Sequence, residues 1–374
     1  MDVADEVDPA RIAPNAFVHP GCRILGEETS IGPDCEIGAE GPVVIDNCQL
    51  GRNVQLKGGF FSGSVFFDGA NMGGGAHVRS GCILEEQASG AHSVGLKQTI
   101  LLPFVAAGSL INFCDALMAG GTSRKNHSEI GSSYVHFNYT PHQDKATASL
   151  VGDVPRGVFL KKRPIFLGGQ GGLIGPCRIA YGSVIAAGGV CREDVLDENR
   201  LLVASSPDPV CRPYATGVYR GIGRIVKNNL VYIGNIKALR EWYRLVRIQF
   251  MRDGFDEAVL DGGLRNLDLV LEERIRRLGD LADKMEYSIQ WLQKNGGDSD
   301  LINAQQRFRT EWPAIESKLA DMRLDVPTEF IDKIAVLPKE NGYIKTIKAL
   351  EPDVREAGRA WLQGIVDRSE QLWT

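Results

Sequence analysis

The chain has 374 residues, 43% hydrophobic and 24% charged, which is long enough for two or three packed domains of ordinary globular composition. A formal net charge of -5 and a pI near 5.8 give no global attraction to nucleic acid or acidic membranes, so any anion binding has to come from a local cluster of Arg and Lys. The start, MDVADEVDPARIAPNAFVHP, carries acids and prolines where a signal peptide needs a basic then apolar run, and no window reaches the ~18 apolar residues of a membrane span. A cytoplasmic protein acting on small molecules is expected, with its eight cysteines, none in a CxxC pair, reduced and buried.

In chain order, residues 1–11 read as an N-terminal tail. From residue 12 to 204 aliphatic side chains recur about every six residues: Ile12, Val18 and Ile24, then Ile31, Ile37 and Val43, then Leu50 and Leu56, and again Leu167, Leu173, Ile179, Ile185 and Cys191. That period is neither helical nor a two-residue alternation. It fits short strands joined by turns, three to a coil, in a parallel β-helix. Small residues stand four places after the aliphatic one, as in Ala16, Cys22, Cys35, Cys177, Ser183 and Gly189, where a tight corner admits only a small inward side chain. Cys22, Cys35 and Cys48 are therefore expected to be corner packing. The glycines of LGGQGGLIG (167–175) continue the hexads without a following helix or GK[ST], so corner glycines are expected there in place of a phosphate loop.

The prolines of SSPDPVCRPYATG mark a joint, placed at 205–219. All histidines and cysteines precede residue 212 and all five tryptophans follow it, so two architectures are expected. From 220 to 374 the period changes: Leu264, Leu267, Leu271, Ile275, Leu278, Met285, Ile289 and Leu292 fall mostly three or four apart. Helices are predicted over about 224–250, 264–292, 301–322 and 342–372, in an all-α domain.

The hexads with these corners, and within them FNYTPHQDKATASLVGD (137–153), FLGGQGGLIGPCRIAYGSVIAAG (166–188) and HVRSGCILEEQASGAHSVGLKQTILLPFVAAGSLINFCD (77–115), resemble the left-handed β-helix of the hexapeptide-repeat acyltransferases. They are most similar to the acetyltransferase half of the bifunctional N-acetylglucosamine-1-phosphate uridyltransferase and glucosamine-1-phosphate acetyltransferases. The resemblance implies a homotrimer with ligand sites between subunits, an acetyl-CoA or other acyl-CoA co-substrate, and a sugar phosphate or nucleotide sugar as acceptor. It covers neither the helical domain nor the uridyltransferase half, for which no glycine-rich nucleotide loop is present.

Carried over residue by residue, the resemblance puts the sugar-phosphate grip on Arg79 and Lys97, the Asn-Tyr pair on Asn138 and Tyr139, and the substrate lysine on Asp144 or, with one residue of slip, Lys145. On the acyl-CoA side, the contact alanine becomes Ala187, a serine becomes Gly169 and an arginine becomes Ser205. The family's base histidine falls on Ser109, with Asn112 where a substrate tyrosine stands. A serine hydroxyl is far too weakly basic to replace imidazole near neutral pH. After Asp115 comes an insertion, ALMAGGTSRKNH, ending in His127 shortly before Glu129, which replaces a substrate asparagine. Either His127, His136 or His142 has taken over as base, or the chain is a non-catalytic sugar-nucleotide-binding trimeric scaffold that has lost it. Of the three, His127 is preferred for proton transfer, and His142 could instead meet a phosphate. A zinc hydrolase or hydratase using histidines from neighbouring subunits is a third, weaker reading.

Overall fold

The structure is a computed structural model that describes residues 2–138, 141–142, 144–204, 209–211, 213–322 and 327–373. Its first half is a parallel β-solenoid with three faces, joined by corners at which the chain turns from one face to the next. The first face runs through Arg23–Leu25, Val43–Asp46, Gly59–Ser62 and Ala76–Val78. It continues with the first halves of Val94–Leu101 and Ile111–Met118, then Val135–Phe137, Gly172–Ile174 and Val190–Cys191. The second face takes the later halves of those two long strands, flanked by Ser64–Phe66 and Cys82–Leu84 on one side and Ser149–Val151 on the other. The third face is a separate 10-stranded sheet from Phe17–Val18 to Leu201–Leu202.

Ile24, Ile31, Ile37, Val43, Leu50, Leu56, Leu167, Leu173, Ile179, Ile185 and Cys191 all lie in the core, so the six-residue period records one inward aliphatic residue per face per coil. Cys22, Cys35 and Cys48 are fully buried, and the Cys35 thiol donates to the Gly51 carbonyl at 3.0 Å. Burial pushes the Cys35 and Cys48 thiols up to about 12, which leaves them un-ionised. In LGGQGG, a Cβ on Gly168 would stand 2.4 Å from the Ala187 nitrogen, so that glycine serves the close stacking of coils.

Two corners carry insertions. Between the second and third faces, the inserted ALMAGGTSRKNH finishes the long second-face strand and then forms a hairpin, Gly121–Ser123 against Asn126–His127. The next coil inserts a short helix, α1 (Val154–Gly157), at the same corner. Between the first and second faces, the described residues between Val135–Phe137 and Ser149–Val151, which include Asn138 and Lys145, form neither strand nor helix.

The second half is helical: α2 (Ile222–Leu245), α3 (Gly254–Lys294), α4 (Ser299–Ala320), α5 (Thr328–Ala335), α6 (Gly342–Lys348) and α7 (Pro352–Glu370). The single helix expected over 342–372 is broken. Pro352, at the first turn of α7, has no amide hydrogen to continue the preceding ladder, and a new helix starts on it. The segment 328–335, not predicted, is also helical.

The helices pack on the second face. Helix α3, 41 residues and thus about 60 Å long, runs along it, capped by Asp253, which accepts from the Phe255 and Asp256 amides. It comes so close that a Cβ on Gly262 would lie 2.1 Å from Gln49 Oε1. Buried asparagines saturate solenoid backbone groups at this seam. Asn266 donates to the carbonyls of Gly63 and Cys82, each at 3.1 Å, Asn229 donates to the Ala146 carbonyl at 2.9 Å, and Asn235 accepts from the Val154 amide at 2.8 Å. Among the described residues the first and third faces carry no such helical cover, and no helix is long and apolar enough to cross a membrane.

Candidate functional site

Arg79 and Lys97 leave the first face at the same corner on successive coils, and Cys114–Asp115 and Asn138 follow on the next two. Their side chains, with Lys145 from the inserted turn, line a cleft of about 370 Å³ whose outer wall is α3, through Glu273, Arg274 and Arg277. Arg79, Lys97, Asn138 and Lys145, far apart in sequence, are thus brought together. Tyr139 and Ser205 lie outside the described residues.

The cleft sorts its charges into two groups. Arg274, only 2% exposed, bonds Asp115 at 3.1 Å and Gln98 Oε1 at 2.6 Å. Arg277 bonds Glu273 at 2.8 Å and Asp280 at 3.0 Å. Asp115 also accepts from Asn138 Nδ2, so α3 fixes the Asn138 amide through one carboxylate. Burial pushes the Asp115 carboxyl above its usual range, and the Arg274 and Lys97 charges pull it back. By contrast, among the described residues Arg79, Lys97 and Lys145 make no salt bridge within 4 Å, and the Arg79 guanidinium lies 3.8 Å from the Cys114 sulfur. A forked guanidinium and two ammonium groups left uncommitted around one cleft can take a phosphate dianion.

The three candidate bases are dispersed. His136 backs the cleft, but its ring points into the prism: it pairs with the inward Leu173, is 3% exposed, packs 5.5 Å from the Phe113 ring, and bonds the Ser149 hydroxyl through Nε2 at 2.8 Å. Burial pulls it down to about 4, so the ring is neutral and a poor proton acceptor. NMR of ring-labelled protein should show His136 neutral from pH 8 to pH 5; titration near 6.5 would place the ring in solvent.

His142 holds the inserted turn against the chain entering α2. Its Nδ1 accepts from the Gly217 amide at 2.9 Å, its ring stacks on Tyr214, and its carbonyl accepts from the Tyr219 hydroxyl at 3.0 Å. His127 sits on the hairpin at the second-to-third corner, one corner away from the cleft, with Nδ1 donating to the Arg124 carbonyl at 2.8 Å and Glu129 3.9 Å from Nε2. Neither ring lines the cleft. Among the described residues no group of three His, Cys, Asp or Glu side chains is placed to hold a metal.

Gly169 and Ala187 lie at the remaining corner, between the third and first faces. There Gly169 accepts from the Gly188 amide at 2.9 Å, and the Ser132 carbonyl accepts from the Gln170 amide at 2.7 Å. Ser109 stands at the same corner, its amide donating to the Ser132 hydroxyl at 3.1 Å and its own hydroxyl 2.9 Å from Nδ1 of His92. His92 was not singled out from the sequence. The spacing of one coil between it and Ser109 is the signal that would have found it.

No family model matches the chain. It is similar to curated proteins named bifunctional protein GlmU: 28% identical over 184 residues to that of Thermotoga petrophila, covering 49% of this chain and 37% of the relative, and 29% identical over 189 residues to that of Pelobacter propionicus, covering 49% and 36%. The chain therefore spans little more than a third of the length of these relatives. Among solved structures, a UDP-N-acetylglucosamine acyltransferase aligns at 18% identity with a TM-score of 0.29, covering 49% of this chain and 67% of the other.

Proposed function

We propose that this chain works as a hexapeptide-repeat acyltransferase and transfers an acyl group from a coenzyme A thioester to an amino sugar bearing a phosphate. The observation that carries the reading is the cleft in which, among the described residues, Arg79, Lys97 and Lys145 remain without anionic partners while Asp115, Glu273, Arg274 and Arg277 are paired. Three cations converging on one cleft beside the half-buried Asn138 repel one another, and a ligand that brings the anion relieves that repulsion. The reacting amine of the sugar would attack the thioester carbonyl, which needs a base and donors for the developing oxyanion.

In this reading the thioester lies along the corner of Gly169 and Ala187, at the far edge of the first face from the cations. Self-association as a homotrimer would set a neighbour over the first face, between the cleft and this corner. The helix-free first and third faces, with Phe166, Val184 and Leu201 exposed on the third, support such an assembly.

A second reading is a non-catalytic binder of sugar nucleotides. It is favoured by the positions of His127 and His142, which do not line the cleft, and by the burial of His136, whose Nε2 is bonded to Ser149.

A melting panel tests the ligand class, because a ligand that binds the folded state raises the transition by mass action. Glucosamine 1-phosphate at 100 times its dissociation constant is expected to stabilise by about 2.7 kcal/mol, and acetyl-CoA to stabilise independently. Equal shifts from glucosamine and its phosphate would remove the phosphate-binding role from the cleft. Stabilisation by UDP-sugars without any effect of acetyl-CoA would favour the binder.

A further inference from the structure

The third-to-first corner repeats one backbone conformation coil after coil. Ser93, Leu110, Ser133, Gln170 and Gly188 all adopt left-handed φ, at 58°, 60°, 60°, 52° and 74°. The residue before each one therefore occupies the same place in its coil: His92, Ser109, Ser132, Gly169 and Ala187 form a single column. Backbone bonds hold the column in register, with the Leu110 amide donating to the His92 carbonyl at 3.1 Å and the Ser133 amide to the Ser109 carbonyl at 2.8 Å.

We propose that His92 is the general base of the transfer and that Ser109 is its positioning residue. The assignment rests on the acyl-transfer reading above. In that reading Gly169 and Ala187 mark where the thioester lies, and His92 is the only imidazole in the column. Its side chain is exposed, unlike that of His136. The 2.9 Å contact between Ser109 Oγ and His92 Nδ1 accommodates the tautomer protonated on Nδ1. With Nδ1–H donating to the hydroxyl oxygen, Nε2 keeps a free lone pair, as a base requires. A serine at the expected base position thus supports a base one coil away instead of replacing it.

The placement suits an acceptor held by the cation cleft. Asn112 lines the cleft and pairs with Gly95 in the strand Val94–Leu101, which starts two residues after His92 at the corner. A phosphate held between Arg79 and Lys97 leaves the sugar ring to lie over the first face, with its amine directed toward the column. There the amine nitrogen attacks the thioester carbonyl carbon, and Nε2 takes the N–H proton as the C–N bond forms. The C–S bond then breaks, and the imidazolium returns the proton to the departing thiolate. The products are the amide and coenzyme A thiol, with no oxidant or reductant required.

The test measures kcat, KM and their pH dependence in acyl transfer from acetyl-CoA to glucosamine 1-phosphate by the full chain. Expected for His92→Gln is a kcat lower by 10²- to 10⁴-fold with KM for the sugar phosphate changed less than threefold, and loss of the acid limb of the kcat profile. Ser109→Ala should lower kcat less and shift that limb. Ser109→His in the His92→Gln background, which places an imidazole at the neighbouring position of the column, should restore part of the rate. His92→Gln with wild-type kcat and pH profile, in an active wild-type protein, overturns the assignment alone. A wild-type protein that transfers nothing to any amino sugar phosphate overturns the reading of the site and the base with it.

Discussion

Arg247→Met is expected to lower the unfolding free energy by about 3–5 kcal/mol, the cost of removing one partner from a buried ionic group. Arg247 follows α2 and is 2% exposed. Its guanidinium bonds Glu85 at 2.7 Å and Glu86 at 2.7 and 3.0 Å, two neighbouring carboxylates of the solenoid's second-to-third corner. The rings of Phe67, Tyr243 and Tyr343 surround it at 4.4, 5.0 and 4.0 Å, and the Tyr243 hydroxyl donates to Glu85 at 2.7 Å.

Methionine would fill much of the volume but leave two adjacent buried carboxyls without a counter-charge. Burial already pushes Glu85 up to about 7, against the pull of Arg247 and with the push of Glu86. A carboxyl whose folded pKa lies above its unfolded value stabilises below the unfolded value, near 4.5, and loses that contribution as pH rises through the folded one. The deficit of the variant should therefore be larger at pH 8 than at pH 5. Urea denaturation at the two pH values reads both effects; a loss under 1 kcal/mol at pH 8 would mean that this cluster does not hold the helices to the solenoid.

The second large effect falls on the cleft. Arg79→Ala combined with Lys97→Ala is expected to weaken binding of glucosamine 1-phosphate more than 100-fold, since a hydrogen bond to a charged group contributes about 1.5–3 kcal/mol. Both side chains reach toward solvent and neither forms a salt bridge, so the melting temperature without ligand should hardly move. The cost should shrink as salt rises, because exposed charges are screened. Titration calorimetry in low and high salt measures it. A loss under threefold, or one of equal size for unphosphorylated glucosamine, would take the phosphate away from these two residues.

The solenoid was legible because its interior accepts one aliphatic side chain per face per coil, so Ile24, Ile31 and Ile37 carry the fold in their spacing. Arg79 and Lys97 were singled out through the family resemblance, and the structure sets them one coil apart at one corner. His136 was readable in principle: it stands opposite Leu173, a hexad position, and so had to point inward. A count of histidines near the Asn-Tyr turn gave it a chemical role that its burial opposes.

Other features depend on contacts between distant segments. Arg274 and Glu273 lie on α3 at positions that look like any solvated helix face until the helix is laid along the second face. The asparagines of α2 look like interruptions of its apolar surface until they meet solenoid backbone groups at the seam. The pairing of His92 with Ser109 exists only through the stacking of coils.

The central claim is that the uncommitted cations hold a phosphate-bearing amino sugar for acyl transfer. The most direct measurement follows labelled acetyl from acetyl-CoA into glucosamine 1-phosphate, with the wild-type chain and the Arg79→Ala/Lys97→Ala variant compared under identical conditions. Transfer by the wild type that falls more than 100-fold in kcat/KM in the variant is the predicted result. Transfer that is indifferent to the two substitutions, or absent from every amino sugar phosphate tried, would contradict the account.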